Sequence, residues 1–439
     1  MAGVAGRLEP LLRTLFAGDL PVRVRGWDGS EVGPEGAPTV VLRSRRALRH
    51  VLWSPGELGL ARAYVCGDID VEGDIAEGLR RIWASARTHG AHRLTSGDVV
   101  AAGKLALRLG VIGPRPAPPA AEARLSGGLH TRRRDRAAIA HHYDLSNEFY
   151  ALVLDPQLAY SCAYWTKDPA DPDYGIEHAQ RDKLDLVCRK LGLEPGMRFL
   201  DVGCGWGALI LHAAEHYGVH ATGVTLSAQQ RAFVTARIAQ RGVSERVEVR
   251  LQDYREIDDG PYDRIASLEM GEHVGLENYP TYCSTLYRLL KPTGRLLLQQ
   301  MSRGSVAPGG GAFIESYVAP DMQMRPVSQT AGLIEDAGFE VRDIEAMREH
   351  YIWTVAAWYD TLEREWERAV ELVGEQQARV WRLYLIGGML AFAERRMGVD
   401  QILAVRPSTN GDAVMPQTRT WLAGTAASVA DATRPAVTV

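Results

Sequence analysis

The sequence predicts an α/β protein with a doubly wound, mostly parallel sheet and a smaller N-terminal α+β domain. Three observations lead there. Short apolar runs alternate with helical stretches from Phe199 onward. A glycine turn, Gly203-Cys-Gly-Trp-Gly207, follows the first of those runs. A proline-rich stretch, Pro114-Arg-Pro-Ala-Pro-Pro-Ala-Ala-Glu-Ala123, sets this region apart from the residues before it. The expected organisation is therefore an accessory domain over 1–112, a linker over 113–130, a main domain over 131–405 and a tail over 406–439.

In the accessory domain, Val22-Arg-Val-Arg25 alternates as a half-buried strand does, and Val40-Val-Leu-Arg-Ser44 is a second strand. Leu58–Asp74 carries three glycines and four acids; their spacing fits no calcium loop, so a turn-rich structural segment is expected. Asp98–Gly113 mixes Val99, Val100, Leu105, Leu107, Leu109 and Val111 with Lys104 and Arg108. Such a helix rests on lipid or packs on its own domain, and the sequence leaves both open. After the linker, Arg124, Arg132, Arg133, Arg134 and Arg136 form a basic cluster, suited to anionic headgroups or to a solvated face.

In the main domain, Glu177–Leu191 has helical spacing and ends near Gly192. The expected strands are Phe199–Val202, Ala221–Val224, Val247–Leu251, Asp263–Leu268, Arg295–Gln299 and Phe339–Ile344, with helices between most of them. Tyr359–Gly398 reads as helical by period, and the tail from Arg406 is expected to carry little order.

Composition narrows the function classes. The net charge of −4 gives no global case for nucleic acid. Five cysteines without a C-x-x-C pair point to a reduced, cytoplasmic chain. The N-terminus lacks the basic-then-apolar order of a signal peptide, and no apolar stretch is long enough to span a bilayer. Membrane contact is therefore expected to be peripheral.

The glycine turn binds something at the carboxyl end of the first strand, where doubly wound sheets hold ligands. A nicotinamide cofactor needs an acid about 20 residues further on, but the second strand ends Gly223-Val-Thr-Leu-Ser227. No Lys-Ser or Lys-Thr pair follows the glycines, which excludes a P-loop. Asp201 before the turn suits an ammonium group. Thr225, Leu226 and Gln230 suit a ribose and adenine, and Asp253 with Tyr254 suits the adenine edge. That set fits S-adenosylmethionine.

The chain resembles the cyclopropane fatty acid synthase family of S-adenosylmethionine-dependent methyltransferases, whose fold is the Rossmann-like class I methyltransferase sheet. The resemblance rests on His142-Tyr-Asp-Leu-Ser-Asn147, Tyr160-Ser-Cys-Ala-Tyr-Trp165, Ala179-Gln-x-x-Lys183, Leu200-Asp-Val-Gly-Cys-Gly-Trp-Gly207, Gly223–Ser227, Glu269-Met-Gly-Glu-His-Val-Gly275 and His350-Tyr-x-x-Thr-x-x-x-Trp358. It implies a cis double bond of a phospholipid acyl chain as substrate, and cofactor contacts that add Tyr160, Ser161, Gly203 and Gly205. It also implies a bicarbonate ion held at Cys162, Glu272 and Tyr351 together with a histidine on the fifth strand. The implied partners are a membrane phospholipid and a second copy of the chain.

An alkene attacks only a strong electrophile and leaves a carbocation that water would quench. Tyr143, Tyr160, Tyr164, Trp165 and Tyr351 are expected as walls, because cations are attracted to aromatic faces. Glu272, directly or through a bound anion, is expected to take the proton, with Glu269 and His273 ordering the loop. The fifth strand departs from the family: Leu298-Gln-Gln-Met-Ser302 places Gln299 where the family has histidine. Glutamine cannot become cationic, so bicarbonate is held less firmly. Delayed proton loss then favours a hydride shift and a methylene-branched product, a precursor of 10-methyl fatty acids, over a cyclopropane. A reductase partner would finish such a product. The remaining readings are a cyclopropane synthase and a catalytically inactive lipid-binding protein. His212-Ala-Ala-Glu-His216 matches the inverted zinc-protease pattern but lacks a third ligand, so no metal is expected. Cys162 is expected to be structural or to act through its backbone rather than as a nucleophile, and Arg132–Arg136 do not make an RNA methyltransferase without an RNA module.

Overall fold

The computed structural model describes residues 3–89, 95–123, 134, 146–304 and 311–422. The chain forms two compact units. The first comprises Met1–Ala123, Gly311–Val318 and Val373–Leu390; the second comprises Arg124–Gly310, Ala319–Leu372 and Ala391–Val439. The first unit is thus discontinuous in sequence.

In the first unit, strands β1 (Arg23–Arg25), β2 (Glu31–Val32), β3 (Thr39–Leu42) and β4 (Ile69–Glu72) form a sheet of order β2-β1-β3-β4. Strands β1 and β3 fall in the two runs expected to be strands. Val24, flanked by two arginines, turns inward onto a core with Val4, Leu8, Leu42, Ile69, Ala106 and Leu109. The acids of the Leu58–Asp74 segment serve ion pairs: Glu72 meets Arg25 at 2.6 Å, and Asp70 meets Arg43. The helix Ser96–Leu109 starts on a capping box of Thr95 and Asp98 and ends at Gly110, whose φ is +64°. It packs on its own domain through Ala106 and Leu109, which are buried in the core, while Val99, Val100 and Leu107 are exposed.

In the second unit, β5 (Arg198–Val202), β6 (His220–Thr225), β7 (Val247–Leu251), β8 (Tyr262–Leu268), β9 (Leu290–Arg303), β10 (Glu340–Ala346) and β11 (Met397–Val405) form one sheet among the described residues. Its order is β10-β11-β9-β8-β5-β6-β7. Strands β5 to β9 pair in parallel, and β11 runs antiparallel to both β9 and β10. Each of the six expected runs is a strand. Their apolar residues are buried because helices cover both faces; Phe199, Ala213 and Val219 lie on one side, Leu200, Ile265 and Leu286 on the other. The strand order reverses between β5 and β8, which opens a crevice at their carboxyl ends.

Two expectations need correction. Tyr359–Gly398 is not one helix: the structure has Arg348–Arg364, Trp366–Val373 and Glu375–Ala393, with Gly374 at φ +80° between the last two. And Met397–Val405 is a strand. It lies between two neighbours and is buried along most of its length, so it lacks the alternation that marks a half-exposed strand. Of the tail, residues 406–422 are held in place without any periodic pattern. Arg406 donates to the carbonyls of Tyr287 and Leu290, and Trp421 is buried against Leu186 and Leu403.

Candidate active site

The site begins at the end of β5. Gly203, Gly205 and Gly207 take φ values of +86°, +52° and +80°, which side chains disfavour. A Cβ on Gly203 would lie 2.7 Å from Met270 Cγ, so that position also needs glycine for space. The Gly203 and Cys204 N–H groups both donate to Val224 O at 3.0 Å, which ties the turn to β6.

Around this turn is one cavity. Tyr160, Ser161, Asp201, Gly203, Gly205, Thr225, Leu226, Gln230, Asp253 and Tyr254 all line it, so the structure brings together the whole expected cofactor set; His273 joins them. The Thr225 hydroxyl donates to Gln230 Oε1 at 2.7 Å and fixes both side chains. Asp201 is buried, and its Oδ1 has no hydrogen-bond partner among the described residues. Burial pushes its carboxyl up to about 7 against the pull of Lys183. An unsatisfied buried acceptor of this kind fits the ammonium group of an amino-acid ligand.

Several contributors escape sequence reasoning. The Ala179-Gln-x-x-Lys183 motif lies on the helix Ile176–Leu191, and its role emerges only in three dimensions. Gln180 Nε2 donates to the carbonyls of Ala159 and Ser161 at 2.9 and 2.8 Å, and Lys183 Nζ donates to Ser161 Oγ at 2.8 Å. Together they hold the Tyr160–Ser161 segment over the cavity. Tyr160 in turn packs against the rings of Tyr150, Trp206 and Trp358, at 5.7, 6.4 and 5.4 Å between centroids. Of these rings, Tyr160 and Trp206 line the cavity, and Tyr150 and Trp358 pack behind them.

Beside the cavity, three residues expected at the reaction centre converge on Glu269, two by side chain and one by backbone. The Cys162 N–H donates to Glu269 Oε1 at 2.7 Å, and Gln299 Nε2 donates to the same oxygen at 2.9 Å. The Tyr351 hydroxyl donates to Oε2 at 2.5 Å. The amide of Gln299 is oriented from behind, its Oε1 accepting from Gln401 Nε2 at 2.9 Å while Gln401 Oε1 accepts from Lys190. Glu272 is fully buried and accepts from the Met301 N–H. Its other oxygen has no partner among the described residues, and burial with the nearby Glu269 charge pushes its carboxyl up to about 8. Among the described residues lining the cavity, Glu269 is present and Glu272 is not. The donors expected to hold bicarbonate, the Cys162 N–H and Tyr351, are thus engaged by a carboxylate of the chain itself.

The expected substrate walls fare differently. Tyr164 donates its hydroxyl to Glu345 at 2.9 Å and stacks on His350, and Trp165 Nε1 donates to Thr354. Neither is among the described residues lining the cavity, because each is drawn to polar partners behind it. Tyr143 lies outside the described residues. Burial pushes the Cys162 thiol up, so its contribution is the backbone N–H. His212 is buried, held down at about 4 by burial, while Glu215 pairs with Arg241 at 2.9 Å; the H-x-x-E-H pattern is a helix surface facing two ways.

Comparison with known proteins decides the family. The model described as mycolic acid cyclopropane synthetase matches residues 130–402. The chain belongs to the cyclopropane synthase family. It is 35% identical to a probable fatty acid methyltransferase of Pseudomonas putida, over 94% of this chain and 98% of that one. It is 36% identical to the cyclopropane-fatty-acyl-phospholipid synthase of Escherichia coli, over 64% of this chain and 71% of that one. The crystal structure of mycolic acid cyclopropane synthase CmaA1 complexed with SAH and CTAB superposes with a TM-score of 0.57 at 32% identity, covering 62% of this chain and 98% of that one. The protein is accordingly an S-adenosylmethionine-dependent methyltransferase with the class I fold, and the orphan acceptor of Asp201 beside the glycine turn fits that cofactor. Among the described residues no helix is long and apolar enough to cross a membrane.

Proposed function

We propose that this family member methylates the cis double bond of an unsaturated acyl chain on a membrane phospholipid and makes a 10-methylene, methyl-branched precursor. The observation that carries the reading is Gln299: a neutral amide, locked between Gln401 and Glu269, at the centre of the buried network.

Bound S-adenosylmethionine supplies a methyl group on a positively charged sulfur. Of the residues that line the cavity, Asp201 would accept from its ammonium group, Thr225, Leu226 and Gln230 would meet the ribose and adenine, Asp253 and Tyr254 the adenine edge, and Tyr160 with Ser161 the reacting end. Tyr160 and Trp206 give the acyl cation π-electron faces, and Tyr150 and Trp358 pack behind them and hold the rings in place. Without a cationic side chain at position 299, proton loss is slow enough for a hydride to move first. The cation then sits on the methyl-bearing carbon, and loss of a methyl proton to a buried carboxylate leaves an exocyclic methylene. That product is still an alkene, so a reductase that adds a hydride and a proton completes a methyl branch.

A bilayer-held substrate calls for peripheral contact. The exposed Val99, Val100 and Leu107, interleaved with Lys104 and Arg108, suit such a surface. The test is product analysis from cells expressing the enzyme and supplied with oleate. Methylene and cyclopropane products are isomers of equal mass, so proton NMR separates them: olefinic CH2 signals support the proposal, and upfield ring signals as the main product end it.

A further inference from the structure

Two carboxylates stand three residues apart at the end of β8, and their surroundings differ. Glu269 receives three donors from three separate parts of the chain: the Cys162 backbone, Gln299 on β9 and Tyr351 on the helix Arg348–Arg364. Lys183 is the cation whose charge also favours its ionised form. Glu272 receives the Met301 N–H and has an orphan oxygen. Burial raises both carboxyls, but the donors oppose that rise at Glu269, while the charge of Glu269 adds to it at Glu272. Of the two, Glu269 with its three donors is built to hold the negative charge, and Glu272 with one donor is the carboxyl that keeps its proton.

The backbone is arranged to the same end. Glu269 has φ +52°, a left-handed conformation that side chains other than glycine's rarely adopt. Its N–H donates to Gln299 O at 2.6 Å, so the strained residue is clamped to β9. Held there, Glu269 lines the same cavity as Asp201 and the glycine turn.

We propose that Glu269 is the catalytic base, a built-in anion that takes the proton from the transferred methyl group, so that turnover needs no dissolved bicarbonate. This rests on the reaction read above. The alkene π pair forms the new C–C bond to the methyl carbon, and the C–S pair stays on sulfur. A hydride carries its electron pair to the adjacent cationic carbon. A methyl proton passes to a Glu269 oxygen, and the C–H pair it leaves becomes the methylene double bond. Glu269, now neutral, returns the proton to water when product leaves. Glu272 stays protonated throughout.

The experiment measures methylation of oleoyl-phospholipid vesicles in CO2-free buffer, beside calorimetric binding of S-adenosylhomocysteine, whose neutral sulfur leaves affinity insensitive to the Glu269 charge. Wild-type turnover is expected to be the same with and without added bicarbonate. Glu269→Gln is expected to lose about 100-fold or more in turnover while binding S-adenosylhomocysteine as wild type does. Glu269→Gly, free to adopt the positive φ, is expected to be as slow and to recover about 10-fold or more when formate or bicarbonate fills the space. A wild-type enzyme that stops without bicarbonate overturns the proposal with no variant involved, and so does a Glu269→Gln enzyme with near-normal turnover. A wild-type enzyme that methylates no lipid in either buffer overturns the reaction reading as well, which marks that failure off from the other two.

Discussion

Tyr351 reaches across 82 residues of sequence to place its hydroxyl 2.5 Å from Glu269 Oε2. Hydrogen bonds to a charged acceptor contribute about 1.5–3 kcal/mol, so this contact helps decide whether the carboxylate is ionised. Tyr351→Phe removes the donor and lets burial act on Glu269 with less opposition. The Glu269 carboxyl should then titrate higher. Because the base works as the anion, activity is present above its pKa and lost below it, and the acidic limb of the kcat–pH profile should move to higher pH. At neutral pH the loss should be about 10-fold. A profile that keeps its acidic limb in place would separate Tyr351 from the ionisation of Glu269.

Asp201 carries a second pH dependence. Its carboxyl, pushed up to about 7 by burial, is partly protonated near neutrality before a cationic ligand arrives. A ligand that requires the ionised form must displace that proton, so S-adenosylmethionine affinity should rise with pH through about 7. Titration calorimetry in buffers of different ionisation heat should register proton release on the acidic side. Asp201→Asn should weaken binding about 10- to 100-fold and flatten the pH dependence. Equal affinity across the range in the wild type would show that Asp201 does not meet the ammonium group.

The cofactor half of the site was legible because it hangs on strand ends and one glycine turn, features that sequence carries locally. Asp201 is the last residue but one of β5, Thr225 ends β6, and Asp253 follows β7 by two residues. The reacting half was not legible to the same degree. Glu269 and Glu272 share one short motif, Glu269-Met-Gly-Glu-His273, and nothing local tells which carboxylate gathers the donors. That choice is made by Cys162, Gln299 and Tyr351, brought in from three distant segments, and by the positive φ at Glu269. Strand β11 was hidden for a related reason: Asp400 and Gln401 interrupt its apolar run. They are tolerated inside because Ser302 donates to Asp400 at 2.6 Å and Gln401 exchanges hydrogen bonds with Gln299 and Lys190.

Trp421 tests whether the ordered part of the tail matters. It is buried against Leu186 and Leu403, and its carbonyl accepts from Arg189. Trp421→Ala should cost about 3 kcal/mol of stability, the usual scale for truncating a buried tryptophan. Thermal unfolding should begin earlier, with turnover below the transition unchanged because the ring lies away from the cofactor cavity. An unchanged midpoint would mean that the Trp421 packing contributes nothing to the second unit.

Gln299→His is the most direct probe of product choice. It replaces a neutral amide with a ring that can protonate, placed between Glu269 and Gln401. A protonated ring pairs with Glu269 and extends its ionised form to lower pH. With the base held in place by that ring, the methyl proton leaves before the hydride has moved, and the C–H pair it leaves closes the cyclopropane onto the cationic carbon. The variant should therefore yield a larger share of cyclopropane, with its acidic limb moved to lower pH. Both are read in one series, by proton NMR of the lipids and by turnover against pH. An unchanged product ratio would separate position 299 from the timing of proton loss and leave the aromatic wall around Tyr160 as the feature that selects the product.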